Sequence, residues 1–166
     1  MAPARAAAGS LAFLLIAPGV VAGLIPWLLT GWDDRYDSSF WWPVRVAGLL
    51  LIVGGIAVLL HAFVRFVVEG VGTPAPVAPT QHLVVGGLYR YVRNPMYLAV
   101  AAIIVGQALL LGQPWLLLYA AAFLLVVAAF VRWYEEPTLG RQFGERYEQY
   151  RRAVPAWRPR VRAWRP

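Results

Sequence analysis

Three short polar clusters contain the residues of this sequence whose types and spacing could do chemistry. They are residues 87–97 (GLYRYVRNPMY), residues 132–136 (RWYEE) and residues 143–157, which include two tyrosines at one-turn spacing. Arginine at a helix start suits a carboxylate or phosphate, and aromatic rings suit a purine or a sulfonium. A ligand with a carboxylate, an amine, a sulfonium and adenosine would use all these features, which permit it without singling it out.

Long apolar runs must position these clusters. The chain has 166 residues, of which 60% are hydrophobic, and its mean hydropathy is +0.59. The apolar residues fall into four runs, each near the ~20 residues that a membrane-spanning helix requires. The pattern predicts an all-α polytopic membrane protein with about four transmembrane helices, over residues 10–29, 43–68, 95–111 and 115–134.

The segments between the helices predict where the clusters meet. Residues 69–87 are rich in glycine and proline and predict an ordered loop, whereas residues 141–152 have the spacing of an amphipathic C-terminal helix. Gly112-Gln113-Pro114 is so short a turn that the third and fourth helices must form an antiparallel hairpin. We therefore expect Arg93, Asn94 and Tyr97 to lie near Glu135 and Glu136.

Charge and composition restrict the environment and the partners. The net charge is +7, and all fifteen basic residues are arginines that mostly flank the apolar runs. This placement favours lipid head groups over nucleic acid and predicts that both termini and the long loop are cytoplasmic. We expect a bacterial inner (plasma) membrane protein. With no cysteine and only two histidines, we predict no metal site.

The polar clusters, in this order and spacing, resemble the isoprenylcysteine carboxyl methyltransferase family, which is related to the phospholipid N-methyltransferases. The resemblance covers residues 83–159, from Gly87-x-Tyr89-Arg90 through Arg93-Asn94-Pro95-x-Tyr97 and Glu135-Glu136 to Val154-Pro155. It implies an integral membrane enzyme that binds S-adenosylmethionine beside its last two helices and admits a lipophilic substrate from the bilayer. The chain would form one domain, 1–166, with two helices in 1–68 and the cofactor-binding core in 69–166.

The resemblance also implies roles for individual residues. Arg93, Asn94 and Tyr97 match the catalytic Arg-His-Pro-x-Tyr element of the family, in which Asn94 replaces a histidine and cannot act as a base near neutral pH. The paired glutamates match the pair that holds the amino and ribose groups of the cofactor. The implied cofactor-binding residues are Gln81, His82, Leu83, Val84, Gly87, Tyr89, Arg93, Asn94, Pro95, Tyr97, Glu135, Glu136 and Tyr147.

A polar stripe on the second helix is a candidate substrate contact. His61, Arg65 and Glu69 stand at i, i+4 and i+8, so they share one face of its cytoplasmic end. Arg65 and Glu69 are predicted to bind the substrate head group, and the alternative is an ion pair whose arginine reaches the interface.

The substrate remains open between two lipophilic classes. The first is a carboxylate on an isoprenoid-type or similar small molecule, which needs no base and which the Asn94 replacement favours. The second is a phospholipid amine, which must lose a proton. Two other protein classes are an NADPH-dependent membrane reductase and a non-catalytic membrane scaffold, against which the short chain and the intact Glu135-Glu136 pair argue. We predict a membrane lipid as partner, and the pattern does not predict the oligomeric state.

Overall fold

The computed structural model describes residues 16–36, 38–70 and 82–165. These residues form five helices and contain no strand, which confirms the all-α prediction. The helices are α1 (Ile16–Thr30), α2 (Trp42–Gly70), α3 (Pro95–Leu111), α4 (Trp115–Phe143) and α5 (Glu145–Ala153). Short 3-10 turns at Ser39–Trp41 and Gly87–Arg90 lead into α2 and toward α3. Gln81 and most of the predicted loop lie outside the described residues.

Two of the described helices are long and apolar enough to cross a membrane. They are the Trp42–Phe66 part of α2 and the whole of α4, while α1 and α3 are apolar but shorter. Two of the four predicted spans therefore have the length and composition that crossing a membrane requires. At 1.5 Å per residue, the stretch of α4 from Trp115 to Glu135 is about 30 Å long, which equals the thickness of a bilayer core.

Helix α4 continues beyond the predicted end at Tyr134, so that boundary was wrong. A π-helical turn at Val131–Glu135 lets the helix absorb Pro137, which has no backbone N–H and whose ring crowds the carbonyl four residues earlier. The N–H of Glu136 bonds the carbonyl of Val131 across this turn. The helix ends at Gly144, where φ is +54°, so the C-terminal helix starts at Glu145 and not at the predicted residue 141.

Helices α2 and α3 form the closest helix pair through glycine. A Cβ atom at Gly48 would lie 2.6 Å from the carbonyl oxygen of Gly106, and one at Gly106 would lie 2.7 Å from the carbonyl oxygen of Gly48. Small residues permit such backbone approach between membrane helices, where packing replaces the hydrophobic driving force. This contact fixes the position of α3 and therefore of the polar cluster that precedes it.

We expect Gly48→Ala to destabilise the fold and Gly54→Ala to leave it unchanged or slightly stabilised. Both changes improve helix propensity by up to about 1 kcal/mol. Only the first adds a methyl group into the contact with α3, because nothing lies within 4 Å of a Cβ atom at Gly54. The measurement is the thermal unfolding midpoint of the two variants in the same detergent. A Gly48→Ala midpoint equal to that of Gly54→Ala would contradict the close helix contact.

Helix α1 is held by polar side chains from α3 and α4. A π-helical turn at Val20–Leu24 precedes Pro26, which cannot donate to the carbonyl of Ala22. Gln107 Nε2 donates to that carbonyl at 2.7 Å, and Tyr119 OH donates to the carbonyl of Val21 at 2.8 Å. Unpaired carbonyls inside a bilayer are costly, so these bonds explain two polar groups within apolar helices.

Candidate functional site

The polar residues at the start of α3 and the end of α4 meet, as the short turn predicted. Arg93 Nη1 donates to Glu136 Oε1 at 2.6 Å and to Tyr147 OH at 3.2 Å, while Tyr97 OH donates to Glu135 Oε2 at 3.2 Å. The side chains of Arg93 and Glu136 are only 12% and 10% exposed. Three helices therefore contribute to one buried charged cluster.

The two adjacent glutamates have different partners. Glu136 is neutralised by Arg93, and Arg151 Nε lies 4.0 Å from its other oxygen. Glu135 is partly buried and, among the described residues, accepts a hydrogen bond from Tyr97 but forms no ion pair within 4.0 Å. Glu135 is thus the carboxylate that remains available for a cationic or hydroxyl-bearing ligand.

The tyrosines around the cluster carry neutral phenol groups. Burial raises the pKa of Tyr147 to about 12, and burial also raises the pKa of Tyr89 and of Tyr150. A raised pKa keeps each phenol protonated throughout the physiological range, so none of them serves as a base there. Tyr150 OH donates to the carbonyl of Tyr89 at 2.7 Å within the core, where Tyr150 is buried.

Two adjoining cavities open beside this cluster. The smaller, of about 80 Å³, is partly polar and includes Glu136 and Tyr147 in its lining. The larger, of about 720 Å³, is mostly apolar and lies between α1, α2, α3 and α4. Six residues line both: Phe66, Tyr89, Arg93, Asn94, Glu135 and Leu139. The volume of the larger cavity lies within the roughly 300–1,000 Å³ typical of small-molecule sites.

Most of the predicted site residues line these cavities. Those that line one or both are Leu83, Val84, Tyr89, Arg93, Asn94, Pro95, Tyr97, Glu135, Glu136 and Tyr147. His82 is exposed and lines neither. Gly87 has positive φ and faces α2, where an added Cβ would lie 2.8 Å from His61 Nε2. The structure thus brings together the predicted cluster but leaves His82 and Gly87 outside it.

Arg65 and Glu69 also line neither cavity. They form an ion pair at 3.2 Å, and Glu69 Oε2 accepts a hydrogen bond from the backbone N–H of Gly86 at 2.8 Å. These contacts attach the segment before α3 to the end of α2. The alternative of an ion pair is confirmed, and the substrate contact stays a prediction.

Four residues that line the smaller cavity were not predicted: Phe66, Val131, Leu139 and Tyr150. The first three are apolar residues on helices rich in apolar residues, so the sequence contains no signal that separates them from lipid-facing positions. For Tyr150 the helical spacing was visible, and only the tertiary packing shows that its ring faces inward.

The cluster has donors and acceptors for a ligand of mixed charge. Arg93 uses Nη1 and Nε in contacts with the protein, which leaves Nη2 without a partner among the described residues. An unengaged guanidinium nitrogen suits a carboxylate, and the unpaired Glu135 suits an ammonium, a sulfonium or a ribose hydroxyl. The smaller cavity alone is too small for a nucleoside, so such a ligand would extend into the larger one.

Comparison with known proteins agrees with this chemistry. The family model described as phospholipid methyltransferase matches residues 44–146, which is more than half of the chain. The matched region includes nearly all of α2, all of α3 and α4 and the charged cluster up to Glu136. It confirms the resemblance drawn from the sequence motifs. No curated protein and no solved structure matches this chain.

Proposed function

Because the chain belongs to the phospholipid methyltransferase family, a family of membrane methyltransferases, we propose that it transfers a methyl group from S-adenosylmethionine to a lipophilic acceptor. One observation supports this most strongly: Arg93 and Glu135 line both a small, partly polar cavity that includes Glu136 and a large, mostly apolar cavity. A charged cofactor and an apolar acceptor would then meet at the same side chains.

The residues present fit this cofactor. Glu135, assisted by Tyr97, would bind its amino or ribose groups, and Nη2 of Arg93 would bind its carboxylate. When bound, S-adenosylmethionine supplies a methyl group that the acceptor's lone pair takes while the electrons of the C–S bond stay on sulfur. The chain itself would orient the two reactants and exclude water, and positioning can contribute about 7–11 kcal/mol.

The membrane arrangement is part of the proposal. In it α1 and α3 also cross the bilayer, which gives four crossings in a single domain with both termini in the cytoplasm of a bacterial cell. The support is the arginine distribution, since Arg35 and Arg45 are the only arginines of the described residues at the end of the helices opposite the cluster. The cluster would then lie at the cytoplasmic face, where S-adenosylmethionine is dissolved.

A carboxylate on a small lipophilic molecule is the first candidate acceptor. It is already nucleophilic, so it needs no base, and neither His61 nor His82 lines the cavities. Asn94, which replaces the family's histidine, cannot supply one either.

A phospholipid amine is the second candidate, and a charge observation favours it. Arg93 is the only basic residue among the described residues that line either cavity. If Arg93 binds the carboxylate of the cofactor, no described cation remains for an anionic acceptor group. An amine acceptor, in contrast, needs no cation at the site.

Calorimetry on the purified chain in nanodiscs tests the proposal. We expect saturable binding of S-adenosylmethionine and S-adenosylhomocysteine, and none of NADPH. Methyl transfer is then measured on a prenylated carboxylate and on phosphatidylethanolamine, which separates the two acceptors. Binding of NADPH alone would indicate a reductase, and a folded sample that binds none of the three would leave the scaffold hypothesis.

A separate prediction concerns the binding of the acceptor in the larger cavity. Val127 is buried at its wall, whereas Leu125 on the same helix is 73% exposed and lines neither cavity. We expect Val127→Trp to raise the acceptor KM about 10-fold, because the indole takes up cavity volume, without a change in the affinity for S-adenosylhomocysteine. Leu125→Trp is the matched control. Equal kinetics for the two variants would place the acceptor elsewhere.

A further inference from the structure

The segment after α5 runs antiparallel to the residues that precede α3. The backbone N–H of Arg93 donates to the carbonyl of Pro155, that of Arg160 to Tyr91, and that of Trp164 to Arg90, each at 3.0 Å. We call residues 154–164 the strap. The strap lies beyond residue 146, where the family match ends, and its backbone pairing includes one of the predicted catalytic residues, Arg93.

The strap determines how Arg93 is oriented. Arg93 Nε donates to the carbonyl of Val154 at 2.9 Å, and Nη1 donates to Glu136 at 2.6 Å. The guanidinium plane is therefore fixed by the strap at one edge and by α4 at another. Because both contacts are present at once, the direction of Nη2 is fixed, and Arg93 lines both cavities.

The side chain of Asn94, the residue after Arg93, also binds the strap. Its Nδ2 donates to the carbonyl of Ala156 at 3.2 Å, and the residue is only 7% exposed. The next strap residue, Trp157, lies with its ring centroid 6.4 Å from that of Tyr97, which bonds Glu135. The strap thus contacts Arg93 directly and reaches Glu135 through Tyr97.

We propose that residues 154–164 position Arg93 for the cofactor and that Asn94 is the positioning residue that anchors this strap. The inference rests on the proposed function, which it deepens by giving Asn94 a structural task in place of the base that it cannot be. If the strap orders the binding site, then a bound ligand must stabilise the strap by the same factor, because coupling between two equilibria is reciprocal.

Cleavage by trypsin reports on the strap without any activity assay. The Arg160–Val161 bond is a suitable reporter, because Arg160 is held by its own N–H and by Nη1, which donates to the carbonyl of Ala153 at 2.7 Å. Trypsin must take that guanidinium into its own pocket, so cleavage follows opening of the strap. The rate is measured by mass spectrometry on the full chain in nanodiscs.

For the wild-type chain, we expect S-adenosylhomocysteine to slow this cleavage, by up to about 100-fold when its concentration is 100 times its Kd. For Asn94→Leu, which removes the donor and adds no charge, we expect cleavage about 10-fold faster and S-adenosylhomocysteine affinity about 10-fold weaker, the effect of losing one buried hydrogen bond. Asn94→His retains an N–H donor and should restore both. Gln149→Leu, which removes an exposed amide from α5, should change neither.

The outcomes separate this inference from the proposed function. If the wild-type chain binds S-adenosylhomocysteine but is cleaved at the same rate with and without it, the role proposed for the strap is wrong. If Asn94→Leu binds S-adenosylhomocysteine with the affinity of the wild type, Asn94 is not the positioning residue. If the wild-type chain binds no S-adenosylhomocysteine, the proposed function fails, and the inference that rests on it fails with it.

Discussion

Replacing Arg93 with alanine is expected to destabilise the chain by about 3–5 kcal/mol and to abolish cofactor binding. The reason is the carboxylate that remains, because Glu136 is 10% exposed and Arg93 is its close partner at 2.6 Å. Removing one partner of a buried ion pair leaves an uncompensated charge, and the cost is that of the orphaned charge more than of the lost attraction. Arg151, at 4.0 Å from Glu136 and itself 42% exposed, compensates only weakly. The measurement is denaturant or thermal unfolding alongside calorimetry.

A double variant separates stability from binding. Arg93→Met with Glu136→Gln removes both charges and keeps similar side-chain volumes, so we expect stability to return to within about 1–2 kcal/mol of the wild type. Binding of S-adenosylhomocysteine should stay absent in the double variant. If the double variant binds the ligand, Arg93 serves only the fold, and the assignment of Nη2 to the cofactor is wrong.

Replacing Glu135 with glutamine should weaken S-adenosylmethionine binding by about 10- to 100-fold and leave stability unchanged. A hydrogen bond to a charged group contributes about 1.5–3 kcal/mol, and this variant removes the charge while it retains the shape. Stability is expected to hold because Glu135 has no ion pair to lose among the described residues. Glu136 differs from Glu135 in this respect, because the fold needs the negative charge of Glu136.

Glu148→Gln is the control for Glu135→Gln. Glu148 is an exposed carboxylate on α5 that pairs with Arg151 at 3.4 Å, and it lines neither cavity. We expect cofactor affinity equal to that of the wild type. Equal affinities in the two variants would remove Glu135 from the site.

The sequence was sufficient to predict that the start of α3 lies beside the end of α4. That prediction needs only Pro95 as a favourable first-turn residue, two apolar runs of similar length, and a three-residue turn that forces them to be antiparallel. Residue types then indicated which side chains would meet. The proximity of Arg93 and Tyr97 to the pair of glutamates follows from that one topological step.

The different roles of Glu135 and Glu136 could not be predicted. Adjacent residues on a helix point about 100° apart, and the π-helical turn before Pro137 adds a further rotation that a regular helical pattern does not include. Which carboxylate meets Arg93 depends on that rotation. The sequence spacing predicts where the two glutamates lie. The π-helical turn determines which partner each glutamate contacts.

No pattern in the sequence predicted the strap or the larger cavity either. Residues 154–164 pair with residues more than sixty positions earlier, and nothing in their composition of arginine, tryptophan and proline indicates that pairing. The cavity wall consists of apolar residues that resemble those facing lipid, such as Val127 inside and Leu125 outside. In a membrane protein, polarity no longer separates the inside from the outside, so periodicity loses much of its value.

The position of the larger cavity within the helices has a kinetic consequence. Its wall is apolar over most of its extent and includes residues of four helices, so an acceptor dissolved among lipid tails would reach it without passing through water. The quantity that saturates such a site is the mole fraction of acceptor in the bilayer and not its concentration in the whole sample. Diluting the acceptor with inert lipid at constant total acceptor should therefore slow turnover, whereas diluting the vesicles with buffer should leave turnover per protein molecule unchanged.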